Sequence, residues 1–215
     1  MEIVHSAVMR YLGDLAAVDD EPVLLEMERL AEREGFPIIG RLCGQFLEVM
    51  ARSIGAARIF ELGSGYGYSA YWFSRATGPD GEVHLTDTDP VNEEKALDFL
   101  RRADLHRPIR YHVADAFDAL SEVDGSFDVV YCDVNKGDYP RAWREGSERV
   151  RLGGLYMCDN MLWSGRVTGE SDEKDVREGW TEAIDETNRL IVSDERFRSF
   201  INPTRDGVVA AIKIR

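Results

Sequence analysis

The sequence predicts an α/β fold with a mostly parallel seven-stranded sheet, helices on both faces and an antiparallel C-terminal hairpin. From Arg58 onward, short apolar runs alternate with segments of helical periodicity, a pattern typical of parallel strands covered on both faces. Near the end, the apolar runs 197–201 and 208–214 are separated only by the short turn N-P-T-R-D-G. Such closely spaced runs favour an antiparallel pair at the edge of the sheet.

Length and composition indicate a single domain over residues 1–215. The chain is long enough for one large core, and its hydrophobic fraction of 44 % is ordinary for a globular protein. We expect a cytoplasmic protein without membrane contact, because the sequence shows neither an apolar run of spanning length nor a signal-like start. The net charge of −14 argues against a broad phosphate-binding face, although a local patch could still hold a small nucleic acid.

The first forty residues are expected to form a helical N-terminal cap. Apolar residues recur at helical spacing up to Gly35, which stands where a glycine commonly ends a helix. A second helix, between Leu42 and Met50, leads into the first strand. Both apolar faces suit packing or a dimer contact better than chemistry.

Strands and helices then alternate in order. We expect strands at 82–85, 109–113, 127–132 and 152–158. Asn92 is a suitable cap for the helix after the second strand, and Pro140 suits the first turn of the helix after the fourth. A last helix is expected from about Asp175 to Val192.

A glycine-rich loop follows the first strand in the sequence R-I-F-E-L-G-S-G-Y-G-Y-S, residues 58–69. Three alternate glycines allow a sharp turn and close approach of a ligand to the backbone. The spacing differs from the G-x-G-x-x-G of dinucleotide sites. Glu61, buried at the strand end, needs a hydrogen-bond donor such as a ligand ammonium group. The segment resembles motif I of the class I S-adenosylmethionine-dependent methyltransferases, while a dinucleotide site or a plain tight turn remain alternatives.

Four aspartates stand just past the carboxyl ends of successive predicted strands: Asp87, Asp115, Asp133 and Asp159. In an open parallel sheet these ends form the rim where ligands bind. A single such aspartate is commonly a turn residue or a helix cap, but four in phase indicate a site. Asp87 suits a carboxylate that accepts hydrogen bonds from ribose hydroxyls, which does not distinguish NAD from S-adenosylmethionine.

Oxygen ligands come together at two adjacent strand ends. Asp133, Asp159 and Asn160 supply two carboxylates and an amide oxygen, a set that Mg²⁺ prefers and Zn²⁺ does not. Lys136 follows three residues after Asp133, and partial burial beside a cation would make it a base near neutral pH. A solvated loop lysine is the alternative.

The remaining polar candidates favour structural roles. The cysteines Cys43, Cys132 and Cys158 are too far apart for a zinc motif or a disulfide framework. His84 and His112 fall within predicted strands, where core or surface roles are favoured.

Taken together, residues 40–215 resemble the cation-dependent O-methyltransferase family that includes catechol and caffeoyl-coenzyme A O-methyltransferases. The resemblance rests on segments whose order and spacing agree: G-Q-F-L (44–47), the glycine loop, L-T-D-T-D-P, F-D-V-V-Y-C-D-V-N-K-G-D-Y, G-G-L-Y-M-C-D-N-M-L-W-S-G-R-V, E-T-N-R-L-I-V-S-D-E-R-F and D-G-V-V-A-A-I-K. It implies a class I, Rossmann-like methyltransferase fold, a homodimer and a small hydroxylated aromatic substrate.

The resemblance also implies roles for individual residues. Asp133, Asp159 and Asn160 would bind Mg²⁺ or another divalent cation, and Lys136 would be the catalytic lysine. The methyl donor would be contacted by Glu61, Gly63, Ser69, Asp87, Asp115 and Asp133, with Asp115 near the adenine. Tyr139 and Trp163 would stand near the acceptor. The common family pattern D-A-D-K is D-V-N-K here, so Asn135 removes one negative charge beside the metal.

The sequence leaves three other functions open. Some bacterial relatives methylate a hydroxyuridine of transfer RNA, and Arg101, Arg102, Arg107 and Arg110 could contact phosphate. A nicotinamide-dependent oxidoreductase is disfavoured by the glycine spacing and by the metal-ligand pattern D-N. A binding module without chemistry is disfavoured because Lys136 accompanies all three expected metal ligands.

Overall fold

The computed structural model describes residues 4–16, 21–171, 175 and 177–215. The helices are α1 (Ser6–Ala16), α2 (Pro22–Glu34), α3 (Gly40–Ser53), α4 (Tyr68–Thr77), α5 (Pro90–Arg102), α6 (Ala116–Glu122), α7 (Tyr139–Glu148) and α8 (Trp180–Ser193). The strands are β1 (Arg58–Leu62), β2 (Glu82–Asp87), β3 (Ile109–Val113), β4 (Phe127–Cys132), β5 (Val150–Cys158), β6 (Phe197–Asn202) and β7 (Val208–Lys213).

The seven strands form one sheet in the order β3-β2-β1-β4-β5-β7-β6. The first five strands are parallel, and β7 pairs antiparallel with both β5 and β6. The predicted mostly parallel sheet with an antiparallel C-terminal hairpin is confirmed. The order reverses between β1 and β4, and in open α/β sheets ligands bind at such a switch point.

Two apolar layers pack on opposite faces of the sheet. Successive β1 residues show the alternation, since Ile59 belongs to the layer under α2 to α5 and Phe60 to the layer under α6 to α8. Both side chains are fully buried. Side chains alternate along a strand, so a strand buried on both faces reads as a continuous apolar run. This is why the predicted strands had few polar positions.

Helix boundaries differ from the predicted ones at two places. Helix α5 is capped by Asp89 rather than Asn92, because the Asp89 carboxylate accepts a hydrogen bond from the Val91 amide at 2.9 Å and Pro90 fills the first helical position. Helix α8 begins at Trp180 rather than near Asp175. Residue 176, inside the predicted range, lies outside the described residues. Gly35 ends α2 in a left-handed conformation, as predicted.

The cysteines and the strand histidines have the structural environments that the sequence favoured. All three cysteines are free and buried. His84 on β2 and His112 on β3 place their ring nitrogens 2.9 Å apart and stack on Phe60, and burial lowers the pKa of both rings. Over the described ranges, no helix is long and apolar enough to cross a bilayer.

Candidate active site

A cavity of about 1050 Å³ lies at the carboxyl ends of the parallel strands. Its walls come from the loops after β1 to β5, from the end of α2 and the segment before α3, and from the β6–β7 turn. Of the nine residues predicted for the site, all except Glu61 line it: Gly63, Ser69, Asp87, Asp115, Asp133, Lys136, Asp159 and Asn160. The parallel topology therefore brings residues from 63 to 160 to one rim.

The loop after β1 needs its glycines mainly for contacts with the protein itself. Gly63, Gly65 and Gly67 have φ angles of +82°, +49° and +83°, in the left-handed region that residues with a Cβ rarely adopt. A Cβ on Gly63 would stand 2.7 Å from the carbonyl oxygen of Asp133. At Gly67 it would press on Ala96 of α5 at 3.1 Å. The loop thus lies directly on the backbone that carries Asp133.

Glu61 lies beneath this loop rather than on the cavity wall. Its Oε1 accepts a hydrogen bond from the Ser69 hydroxyl, whereas its buried Oε2 has no partner among the described residues. Burial raises the pKa of Glu61 to about 8, against the lowering effect of the Ser69 bond. Ser69 does line the cavity. The geometry lets Glu61 act on a ligand through Ser69, and this differs from the expected direct contact.

Asp87 and Asp115 each use one carboxylate oxygen to shape the local backbone. Asp87 Oδ1 accepts from the Asp89 amide at 2.8 Å, and Asp115 Oδ1 caps α6 by accepting from the amides of Phe117 and Asp118. No described residue donates to the second oxygen of either carboxylate. Each aspartate can therefore hold the local backbone with one oxygen and contact a ligand, as predicted, with the other.

Asp133 and Asp159 form the acidic centre of the rim. Asp159 is 5 % exposed, and burial together with the nearby negative charge of Asp133 raises its pKa. Asn160, which follows directly, has a φ of +58°. Two carboxylates and an amide oxygen are hard donors that suit Mg²⁺, and within the described ranges no group of three or more His, Cys, Asp or Glu side chains forms a separate metal cluster.

Lys136 donates from Nζ to Asp133 Oδ1 at 2.9 Å, and its ammonium group lies 5.3 Å from the centre of the Tyr139 ring. Burial is the largest influence on the pKa of Lys136 and lowers it. The charge and hydrogen bond of Asp133, with the charge of Asp159, outweigh burial, so the pKa ends above its usual value. Two carboxylates therefore hold the proton on the lysine, and the expected depression, which depends on a cation beside Lys136, stays a prediction.

Sequence reasoning missed Asp206, in the β6–β7 turn. Its Oδ2 accepts from Asn160 Nδ2 at 3.3 Å, and its Oδ1 accepts from the Ser164 amide. The backbone carbonyl of Asp206 also accepts from the Leu162 amide at 2.8 Å. Asp206 thereby fixes the loop after β5 and turns the amide nitrogen of Asn160 toward itself, which leaves the amide oxygen for a ligand. The signal was the D-G pair of the turn, but its partner lies 46 residues away.

Of the two aromatic residues expected near the acceptor, one lines the cavity. Trp163 does, and its indole nitrogen donates to Asp175 Oδ1 at 2.8 Å. Tyr139 is fully buried below the rim, where its hydroxyl donates to the Asp159 carbonyl at 3.0 Å. Its role is to support Asp159 and Lys136, so direct contact with an acceptor is not supported.

The arginine patch considered for RNA is partly neutralised. Arg102 bonds with both Glu26 and Asp98, and Arg110 donates to the backbone carbonyls of Arg107 and Ile109. These contacts weaken the interpretation of the patch as a phosphate-binding surface.

Comparisons with known proteins agree with this geometry. The sequence pattern of a family described as O-methyltransferase matches residues 15–214. Caffeoyl-CoA O-methyltransferase 2 of Populus trichocarpa is 26 % identical, covering 97 % of this chain and 89 % of the relative. Catechol O-methyltransferase of Niastella koreensis is 29 % identical, covering 82 % of each.

Solved structures show the same architecture. The O-methyltransferase TomG of Streptomyces achromogenes, in complex with S-adenosylmethionine, superposes with a TM-score of 0.83 at 25 % identity, over 97 % of this chain and 96 % of TomG. An O-methyltransferase of Bacillus cereus shares the fold with a TM-score of 0.83 at 22 % identity, over 96 % and 97 % of the two chains. With the family match over nearly the whole sequence, these likenesses identify the chain as a member of the O-methyltransferase family, whose reaction depends on S-adenosylmethionine.

Proposed function

We propose that this enzyme transfers a methyl group from S-adenosylmethionine to a hydroxyl of a small catechol-like or phenolic acceptor, with the help of a divalent cation such as Mg²⁺. The observation that carries the proposal is the shared rim: Asp133, Asp159, Asn160 and Lys136 line the same cavity as the glycine loop. The relatives named for caffeoyl-CoA and catechol support this acceptor class.

The residues present fit both groups. For the methyl donor, the cavity offers the loop at Gly63, the open carboxylate oxygens of Asp87 and Asp115, and an acidic wall suited to a sulfonium and an ammonium group. For the cation, Asp133 and Asp159 offer hard oxygens, and Asp206 orients the Asn160 amide oxygen. Burial and, after it, repulsion by Asp133 raise the pKa of Asp159, and this unfavourable pairing of two carboxylates is a second reason why a cation fits.

When bound, the donor supplies an electrophilic methyl group, and a divalent cation lowers the pKa of an acceptor hydroxyl while it offsets the carboxylate charges. In the structure, Lys136 holds a proton at Nζ and donates it to Asp133. Lys136 would act as the base after Nζ has released this proton to solvent, a loss that becomes easier once a cation offsets the charges of Asp133 and Asp159, and the neutral amine would then accept the proton of the acceptor hydroxyl. Trp163 forms part of the cavity wall and limits the access of water from that side. The glycine loop and the strand ends hold the reactants in fixed positions.

The alternatives have less support. Methylation of transfer RNA would need a basic surface, and Arg102 is already paired with acids. A nicotinamide-dependent oxidoreductase does not agree with the family match. The homodimer remains a prediction that sedimentation velocity would check.

The test is a methyl-donor consumption assay over catechols, phenolic thioesters, flavonoids and hydroxyuridine-containing transfer RNA, with and without chelator. We expect turnover of a vicinal diol that chelator abolishes. Asp159→Ala should remove both turnover and the heat of Mg²⁺ binding. Asp118→Ala, which changes an exposed acid outside the cavity, is the matched control. Full activity of Asp159→Ala in excess chelator would refute the metal assignment.

A further inference from the structure

The charges on the cavity wall are strongly unequal. Seven carboxylates line it: Glu28, Glu32, Asp87, Asp115, Asp133, Asp138 and Asp159. Only two cations among the described residues join them, Lys136 and Arg205. Lys136 is paired with Asp133. Arg205 is therefore the one cation of this wall with no carboxylate partner in the described parts of the chain.

Arg205 is held in place by backbone contacts. Its Nη1 donates to the Ile38 carbonyl at 2.8 Å, which links the β6–β7 turn to the segment before α3. Gly40 leaves room for this side chain, since a Cβ there would stand 3.1 Å from Arg205 Nη1. The backbone of Arg205 has a φ of +53°, a conformation that costs a non-glycine residue about 1 kcal/mol or more. Such strain at a cavity wall is typical of a residue with a function.

The position of Arg205 connects it with the metal-ligand loop. The next residue, Asp206, bonds to the Asn160 side chain at 3.3 Å. The positive charge of Arg205 acts on buried Asp159, where it lowers a pKa that burial raises. A guanidinium group has five N–H donors, and one hydrogen bond to Ile38 leaves most of them available. An anion at this wall would meet Arg205 while the seven carboxylates repel it elsewhere.

We propose that Arg205 binds an anionic substituent of the acceptor, a carboxylate, and so selects dihydroxylated aromatic acids over neutral catechols. This inference rests on the proposed function, because it assigns the other end of the acceptor whose hydroxyls face Asp159 and Asn160. The binding step is a charge-assisted hydrogen bond between guanidinium and carboxylate. The same acceptor without its charge can accept a hydrogen bond from Arg205 but loses the attraction between the opposite charges.

The test compares two acceptors with the same dihydroxylated ring, the anionic 3,4-dihydroxybenzoate and its neutral methyl ester. For the wild type, we expect kcat/KM for the acid to exceed that for the ester by roughly tenfold or more at low salt. Arg205→Gln keeps a donor for the Ile38 carbonyl but no charge, and the acid-to-ester ratio should fall at least about tenfold. Arg205→Lys should keep part of the ratio. Arg205→Gly, which relieves the positive φ, shows whether strain affects the result.

Calorimetry provides a second readout that does not need turnover. The wild type should bind 3,4-dihydroxybenzoate more tightly than its ester, and Arg205→Gln should bind the acid no more tightly than the ester, with S-adenosylmethionine affinity unchanged. Binding of the acid that depends on Arg205, without methylation, would refute the proposed acceptor class and support this inference. An unchanged acid-to-ester ratio in Arg205→Gln would overturn the inference. Two other results would also overturn it. An equal loss of affinity for both acceptors would mean that Arg205 only holds the β6–β7 turn to Ile38. Weaker binding of S-adenosylmethionine would mean that Arg205 contacts the methyl donor.

Discussion

Replacing Gly63 with alanine should damage both the fold and the proposed metal site, because the added Cβ has no space. The new atom would stand 2.7 Å from the Asp133 carbonyl oxygen and 3.2 Å from the Val134 amide nitrogen, which are backbone atoms that cannot rotate away. The left-handed φ costs about 1–2 kcal/mol and the overpacking about 1–3 kcal/mol more. We therefore expect Gly63→Ala to lower the free energy of unfolding by about 2–5 kcal/mol.

Gly55→Ala is the matched control for this substitution. Gly55 has a φ of +61°, but no heavy atom lies within 4 Å of the position that a Cβ would take there, so it carries only the conformational cost of about 1–2 kcal/mol. Urea unfolding followed by tryptophan fluorescence measures both variants, and the m values should stay equal. Mn²⁺ affinity should fall in Gly63→Ala alone, because only this change displaces the backbone of Asp133. Equal destabilisation of the two variants would refute the argument.

Three further predictions concern charged groups of the site. Burial raises the pKa of Glu61 to about 8, so its contribution to stability is present below the ordinary glutamate pKa and is lost as the pH rises to about 8. Glu61→Gln should make the midpoint of urea unfolding depend less on pH between these two pKa values. An unchanged pH dependence of the midpoint would contradict this. Lys136→Arg keeps a cation beside Asp133, but a guanidinium group cannot release its proton. Single-turnover rates should therefore fall roughly 100-fold or more, while calorimetry shows that the affinity for the methyl donor is preserved. Rates equal to those of the wild type would exclude Lys136 as the base. Asp206→Ala removes the hydrogen bond that orients the Asn160 amide, so Mg²⁺ affinity should fall about 10–100-fold, while binding of S-adenosylmethionine is unchanged. Retained Mg²⁺ affinity would show that Asp206 does not position Asn160.

The sequence predicted the sheet and its rim because those features leave local signals. An apolar run followed by glycine or aspartate marks the end of a buried strand, and this placed Asp87, Asp133 and Asp159 correctly. The observed strand β4, Phe127–Cys132, has the predicted limits. The carboxyl ends of parallel strands lie at the same edge of the sheet, whatever the sequence of the segments that connect them.

Other features depend on contacts that no local pattern reveals. Asp175 does not start α8; its carboxylate accepts from the Thr181 amide at 2.7 Å and from Trp163, which fixes the start of the helix at Trp180. Asp206 meets Asn160 across 46 residues. The pKa of Lys136 depends on the balance between burial and two neighbouring charges, and neither distance nor depth can be read from the sequence.

The position of β7 has a consequence for synthesis of the protein on the ribosome. Although β7 follows β6 in the chain, it lies between β5 and β6, so the outer edge of β5 stays unpaired until residues 208–213 have emerged. An open strand edge can pair with the wrong chain. Chaperone protection during translation is therefore most useful in the interval between the emergence of β5 and that of β7.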